Sequence, residues 1–266
     1  MRVQRSAWNL TWAVTAFAGL AACNGEAPAP RTDALGNYQP ATLAEAVLLG
    51  DRTAVENFLA LGVDPNEPEA DGTTPLMRAV HGQLPEIAQL LIDASADVTE
   101  ANYYGVTALY VAARAGDPVA TRLLLAAGAD ANAALPAGET VLMTAVKAGS
   151  ADVVRALLTG GIEGVSLAAI GEARAAARVA ETAGYAAPSN PTIATNYADV
   201  NARERWYGRT ALMVAAAEGH ADVVELLIEA GSDVNLFDEE GASALSLARS
   251  YGHLDVAAKL AEAGAR

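Results

Sequence analysis

Three histidines, His81, His220 and His253, and a single cysteine, Cys23, are the side chains with the widest chemical repertoire in this chain. One cysteine excludes an intramolecular disulfide framework, a thiolate zinc site and a CxxC redox pair. Three scattered histidines leave little from which to build a histidine-ligated metal centre. A nucleophilic serine needs a base within hydrogen-bond reach, and no serine has a histidine that the pattern below would bring beside it. The 23 glycines recur at fixed intervals instead of clustering before a strand–helix junction, so they form no phosphate-cradling loop. Carboxylates are abundant but dispersed. These residues point to no catalysis, no metal and no cofactor.

The charge balance narrows the partners. Lys and Arg number 17 against 32 Asp and Glu, a formal charge of −15 with a pI near 4.5. Such a surface repels a phosphate backbone, so nucleic acid is not expected as a partner. It suits a basic protein and a fast, electrostatically steered encounter. With 52% hydrophobic residues, only 5% aromatic, and a mean hydropathy of +0.20, the chain is too apolar to stay disordered and must pack with small side chains.

Cys23 lies where its chemistry is readable. Arg2 and Arg5 precede a mostly apolar run from Ala7 to Ala22, and about 24 Å of helix from such a run falls short of a ~30 Å hydrocarbon core. Basic residues, a short apolar stretch and small residues at its end describe a secretory signal peptide. The sequence Leu20-Ala21-Ala22-Cys23 resembles the lipobox of bacterial lipoproteins. The resemblance implies that Cys23 becomes the first mature residue and carries the lipid. The alternative is an ordinary signal peptide beside an incidental cysteine. Asn24 is not the aspartate that favours inner-membrane retention, so the resemblance implies an outer-membrane anchor facing the periplasm. Residues 1–22 are thus expected to be signal peptide, and 23–40, with Pro28, Pro30 and Pro40, a flexible tether. Loss of Arg2 and Arg5 would take the formal charge from −15 to −17.

The remainder, 41–266, is periodic. A motif Gly-x-Thr/Ser-small-Leu recurs from Gly72, Gly105, Gly138, Gly208 and Gly241, at spacings of 33, 33, 70 and 33 residues. A second motif closes units at Gly128-Ala129-Asp130-Ala131-Asn132 and Gly231-Ser232-Asp233-Val234-Asn235. Between them lie paired short helical patterns such as Ala211–Glu218 and Ala221–Ala230. Gly208 to Asn235 (GRTALMVAAAEGHADVVELLIEAGSDVN) resembles the ankyrin repeat nearly throughout. The resemblance implies an all-α repeat solenoid of about six units, each a helical hairpin with a β-hairpin-like finger. Gln83 stands where the family has glycine, and Thr99 where it has asparagine.

Elementary physics requires the same architecture. Helices of two or three turns are marginal alone in water, and stacking gives them one continuous core. Leu212, Val223, Leu226 and Leu227 are expected between units, with Ala215 and Ala216 allowing close approach. Thr74, Thr107, Thr140 and Thr210 can cap first helices. Gly116, Gly149, Gly219 and Gly252 suit left-handed backbone at their ends. The first unit, Thr42 to Gly62, and the last, Asp238 to Arg266, carry charges that suit terminal repeats.

The period breaks after Gly160-Gly161 and resumes at Ala198-Asp199-Val200-Asn201. Ile162 to Tyr197 reads as a 36-residue insertion, with Glu204 the thirty-seventh extra residue. Ser166 to Ala183 is expected to be an amphipathic helix. Leu167, Ile170 and Val179 would be inward, Glu172, Arg174, Arg178 and Glu181 outward, and Pro188 and Pro191 would end it. Thr192–Tyr197 would return extended. The alternative is a decayed seventh repeat.

Partner contacts follow from repeat phase. In ankyrin proteins the finger tips and the inner face of the first helices contact partners. The resemblance carries that role to Tyr103, Tyr104, Arg114, Lys147, Trp206, Tyr207, Arg209, Glu239, Glu240 and Tyr251, with Phe237 beside the last tip. Five of the mature chain's eleven aromatics lie on or beside fingers, where exposed Trp and Tyr next to Arg match the composition of interface hot spots; packing of hairpin on hairpin is the alternative. His220 and His253 stand in the family's Gly-His and are expected to bond backbone, and His81 to face the concave groove. The resulting expectation is a monomeric, lipid-anchored periplasmic module that binds another protein and touches the membrane only through its lipid. Two rivals are an immunity protein against a toxin and an accessory factor for a periplasmic enzyme. A hydrolase with the insertion as lid is the remaining one and lacks a nucleophile–base pair.

Overall fold

Threonine punctuates this chain. Thr42, Thr74, Thr107, Thr140 and Thr210 each stand in extended backbone before a helix, and each Oγ1 accepts the backbone N–H three residues on at 3.2–3.4 Å. Ser243 does the same in a reciprocal pair with Ser246. Such caps satisfy donors that the first helical turn leaves free.

The computed structural model describes residues 39–182 and 196–266, with 177–182 by backbone alone. Cys23, the expected signal peptide and most of the expected tether lie outside these residues. So do the side chains of Arg178, Val179 and Glu181, together with Pro188, Pro191 and the Thr192 end of the expected extended return.

Thirteen helices are described: α1 (Leu43–Leu49), α2 (Arg52–Ala60), α3 (Pro75–His81), α4 (Pro85–Asp93), α5 (Ala108–Ala115), α6 (Pro118–Ala126), α7 (Val141–Lys147), α8 (Ala151–Leu158), α9 (Leu167–Thr182), α10 (Ala211–Glu218), α11 (Ala221–Glu229), α12 (Ala244–Tyr251) and α13 (Leu254–Glu262). All but α9 pair as six antiparallel hairpins. First helices stack on first helices and second helices on second helices, giving two layers within Thr42–Arg266. Between hairpins the chain forms fingers closed by single bridges, Ala101 to Thr107, Ala134 to Thr140 and Phe237 to Ser243, with no strand among the described residues.

One apolar core runs through the stack. Leu212, Ala215, Ala216, Val223 and Leu227 are at most 1% exposed, and Leu226 is 7% exposed, at the core's edge. Gly116, Gly149, Gly219 and Gly252 take φ of +66 to +84° at the ends of first helices. Gln83 (φ +54°) and Ser95 (φ +69°) hold left-handed backbone without being glycine, a conformation in which Cβ crowds the following carbonyl.

The insertion leaves the stack intact. α7 packs directly on α10, and α8 on α11. Helix α9 begins at Ser166, whose Oγ accepts the Ala169 N–H at 3.3 Å. It lays Leu167 (3% exposed) and Ile170 (4% exposed) into the core against α11. Gly171 touches the carbonyl of Glu229, leaving no room for a Cβ. Arg174 is not on the solvated face expected from its charge; seven residues after Leu167 and four after Ile170, it shares their face. Its guanidinium donates to the carbonyl of Ala230 (2.9 Å), where the C-terminal end of α11 leaves acceptors unpaired, and to that of Ala198 (2.7 Å), where the chain re-enters the stack.

Candidate functional site: fingers and first helices

At three junctions a finger hangs on its neighbour through one backbone bond. Tyr103 donates to Asp71 (3.2 Å), Arg205 to Ala137 (3.1 Å) and Glu239 to Tyr207 (2.8 Å). A second row of bonds runs along the loops that precede the fingers. The Oδ1 atoms of Asn66, Asn132, Asn201 and Asn235 accept the N–H groups of Asp97, Asp199, Asp233 and Arg266 at 2.6–3.1 Å. Both rows fail at one seam. Pro136 stands at the donor position and has no N–H, and Thr99 replaces the asparagine and turns to Asp97 at 2.7 Å. Among the described residues no hydrogen bond joins loop 95–107 to loop 128–140.

The Trp206 finger is one residue longer than the others. Where Asn102 and Asp238 stand three residues before their glycines, Glu204 stands four before Gly208. Its carboxylate is one methylene longer and spans the extra residue. It accepts the N–H groups of Trp206 (2.7 Å), Tyr207 (2.6 Å) and Arg209 (3.2 Å). Burial works to raise the Glu204 carboxyl, but those N–H groups and the charge of Arg209 hold it below its ordinary value of 4.5. Asp71 is likewise held low by its bonds from Thr73, and Asp97 by its bonds from Thr99. The arrangement leaves the Trp206 side chain 72% exposed. Glu204 and its neighbour Arg203, which donates to the carbonyls of Gly208 (3.0 Å) and Phe237 (2.7 Å), did not stand out in the sequence. The signal lay in Glu204's match to the position of Asn102 and Asp238.

The other expected contact residues fall as follows. Tyr103 (77%), Tyr104 (69%), Tyr207 (50%), Phe237 (54%) and Tyr251 (60%) are exposed, as are Arg114, Glu239 and Glu240. Lys147 is exposed and paired with Glu139 at 2.9 Å. Arg209 is not the free rim charge that its place beside a tip implied. Its side chain is 28% exposed and binds the fully buried Asp238 carboxylate at 3.3 Å, with Glu240 at 3.7 Å. Its guanidinium also stacks on the Tyr207 ring, 5.2 Å from the centroid. His253 Nε2 lies 3.0 Å from the Ala217 carbonyl. Its ring crosses Gly219, where a Cβ would come within 2.5 Å of Nδ1. The His220 ring lies over Gly149 in the same way, and His81 is exposed.

Charge is sorted between the layers. First helices carry Arg78, Arg114, Lys147 and Arg249 against Glu45 and Glu218. Second helices carry Glu56, Glu86, Asp93, Asp152, Asp222, Glu225, Glu229, Asp255 and Glu262 against Arg52, Arg122, Arg155 and Lys259. A surface depression of about 580 Å³ lies among the second-helix side chains Arg155, Asp222, Glu225, Glu229, Lys259 and Glu262.

With this geometry the comparisons agree. The model of ankyrin repeats in three copies matches residues 43–134 and 183–266, and the single ankyrin repeat model matches 137–167. The chain belongs to the ankyrin-repeat family. It is similar to an ankyrin repeat domain of Acinetobacter baumannii, at 25% identity over 84% of this chain and 98% of that one, with a TM-score of 0.66. It is equally similar, at 26% identity and a TM-score of 0.66, to the ankyrin repeat domain of Bcl-3, a member of the IkappaB family, over 85% of this chain and 87% of that one. The ankyrin repeat protein EF0377 matches at 26% identity over 85% of this chain and 99% of its own, again with a TM-score of 0.66. Ankyrin repeats are in general non-catalytic modules that bind other proteins.

Proposed function

We propose that this chain is a lipid-anchored protein-binding module of the bacterial periplasm, that it is not an enzyme, and that it engages its partner through finger tips and first helices. The observation that carries the reading is the exposure of Tyr103, Tyr104, Trp206, Tyr207 and Phe237 on or beside three fingers. Aromatic side chains left in water at this density are typical of interface anchors. Attachment through Cys23 supplies the address, on the strength of Leu20-Ala21-Ala22-Cys23 alone. The net negative charge favours encounter with a basic protein, and its carriers are concentrated on the second helices.

Two variants test this reading. Cys23→Ser should move the protein from the membrane fraction to the soluble one, and a variant that still pellets after a high-salt wash would remove the anchor from the proposal. Crosslinking in intact cells should capture a partner with the unaltered chain and lose it with Trp206→Ala. Equal capture by both would take the binding site off the long finger.

A further inference from the structure

His81, Arg114 and Lys147 stand 33 residues apart, each seven residues after the threonine cap of its first helix. All three are exposed, and the helices that carry them, α3, α5 and α7, pack side by side. They therefore form a column across three successive repeats. Its orientation is set by Lys147. The ammonium reaches the carboxylate of Glu139, which stands at the base of the Pro136 finger and also accepts a hydrogen bond from Thr144 at 3.0 Å. At Lys147 the column thus faces the finger side of the first helices. Two acidic groups near the column are paired with cations, Glu69 with Arg78 through two bonds of 2.7 and 2.6 Å and Glu139 with Lys147, which keeps two further ammonium donors, while Asp71 accepts the Thr73 N–H. Arg114, at the centre, has no ion-pair partner among the described residues.

We infer that this column binds an acidic segment of the partner in extended, polyproline II conformation, with a carboxylate at every third residue. The inference rests on the reading that the finger and first-helix side takes a protein partner, and it names the chemistry of the segment. Two lengths support it. Packed helices lie about 8–10 Å apart, which sets the spacing of the column. A polyproline II chain has three residues per turn and rises about 9.3 Å per turn, so side chains i, i+3 and i+6 share one face at that same spacing. A β-strand puts i and i+3 on opposite faces and cannot present three carboxylates in this register. The rings of Tyr103 and Tyr104 are exposed on an adjoining finger, and exposed aromatic rings suit the flat faces of proline-rich chains. Arg114 can grip a carboxylate with two parallel bonds.

The test uses the full chain and three blocked, fluorescently labelled proline-rich peptides: one with Glu at i, i+3 and i+6, one with Lys at those positions, and one with the same three Glu residues adjacent. Fluorescence anisotropy should show the spaced Glu peptide binding at least tenfold tighter than either of the others. Arg114→Glu, an exposed change checked by circular dichroism for unchanged folding, should cut that affinity at least tenfold and improve binding of the Lys peptide. Equal binding of spaced and adjacent Glu peptides would overturn the register. Indifference to Arg114→Glu would overturn the column as the site. The underlying reading fails separately: capture of a partner in cells that is lost with Trp206→Ala but untouched by Arg114→Glu would keep the binding module and reject the acidic segment.

Discussion

The backbone N–H of Ala198 donates to the carbonyl of Leu157 at 3.1 Å, joining the two sides of the insertion. In uninterrupted units the equivalent bonds run from Ala129 to Leu124 and from Ser232 to Leu227, both at 2.9 Å. The chain leaves the solenoid after α8 and re-enters it at the atom where a regular repeat would have continued. Removal of 162–197 should therefore give a protein that folds. It should also melt at a lower temperature, because Leu167 and Ile170 leave the core and the Ala230 carbonyl loses Arg174. Arg174→Ala alone should cost roughly 1.5–3 kcal/mol, the range for hydrogen bonds to a charged group. Thermal unfolding by circular dichroism reads both, and a deletion variant without cooperative unfolding would show that α9 is integral to the stack.

Most of the fold was legible because a repeat states its own rule several times. The threonine caps, the helix ends at Gly116 and Gly219 and the inward leucines each recur at one phase, and the structure puts them to one use. What was not legible depends on contacts between units. Charge assigned Arg174 to the wet face, although its place four residues after Ile170 and seven after Leu167 puts it on their buried face; neither reveals that the end of another helix lies over that flank. Arg209 reads as a surface charge from its neighbours. Only stacking brings Asp238, from the next finger, against it. The seam at Thr99 and Pro136 is a similar case: each departure is visible alone, yet their coincidence at one junction is a fact of three dimensions.

That seam supplies a stabilising substitution. Thr99 stands where Asn66, Asn132, Asn201 and Asn235 each bond the following loop. Thr99→Asn should let Oδ1 accept the N–H of Asp130 and raise stability by about 0.5–1.5 kcal/mol, the usual net worth of such a bond. Ser95→Gly in the same loop should add up to about 1 kcal/mol by relieving a left-handed non-glycine residue. Denaturation midpoints in urea measure each change, and a Thr99→Asn variant no more stable than the parent would mean the two loops stand too far apart to bond.

Burial separates two adjacent leucines. Leu227 is 0% exposed and Leu226 7%, so Leu227→Ala should be the costlier change, within the roughly 2–5 kcal/mol typical of buried leucine. The loss should uncouple the C-terminal units before the rest, since each repeat is held by its neighbours. Hydrogen exchange resolved by peptide would show this as early opening of α12 and α13. Uniform opening of the whole chain would instead indicate a single cooperative unit.

Acid should loosen the long finger. The folded-state pKa of Glu204 lies below the 4.5 of an unperturbed carboxyl. Its stabilising contribution is therefore complete above about pH 4.5 and is lost as the pH falls through the depressed folded value. Amide resonances of Trp206 and Tyr207 followed by NMR should titrate with a midpoint below 4.5, and Glu204→Gln should abolish that transition. A midpoint at or above 4.5 would mean the three N–H bonds do not outweigh burial.

Trp206 and Arg209 stand three residues apart in that finger and should behave oppositely. The Trp206 side chain is 72% exposed, and its only described bond to the finger is through its backbone N–H. Trp206→Ala should leave the melting temperature nearly unchanged while weakening partner binding by at least ~2 kcal/mol, as for a central aromatic anchor. Arg209, by contrast, neutralises a carboxylate with no exposed side-chain surface. Arg209→Ala leaves Asp238 buried with only the backbone donors of Glu240 and Ala242, at 3.0 and 2.7 Å. It also frees the Tyr207 ring that the guanidinium covers. Loss of one partner from a buried pair destabilises because the other charge stays desolvated. With Arg209 still 28% exposed, solvent screening reduces the cost to about 1–2 kcal/mol. Measuring affinity and melting temperature on the same two variants separates the roles. If Arg209→Ala weakens binding with an unchanged melting temperature, Asp238 is satisfied without it and the guanidinium belongs to the contact surface; if Trp206→Ala lowers the melting temperature, the indole belongs to internal packing and the binding surface moves toward Tyr103 and Tyr104.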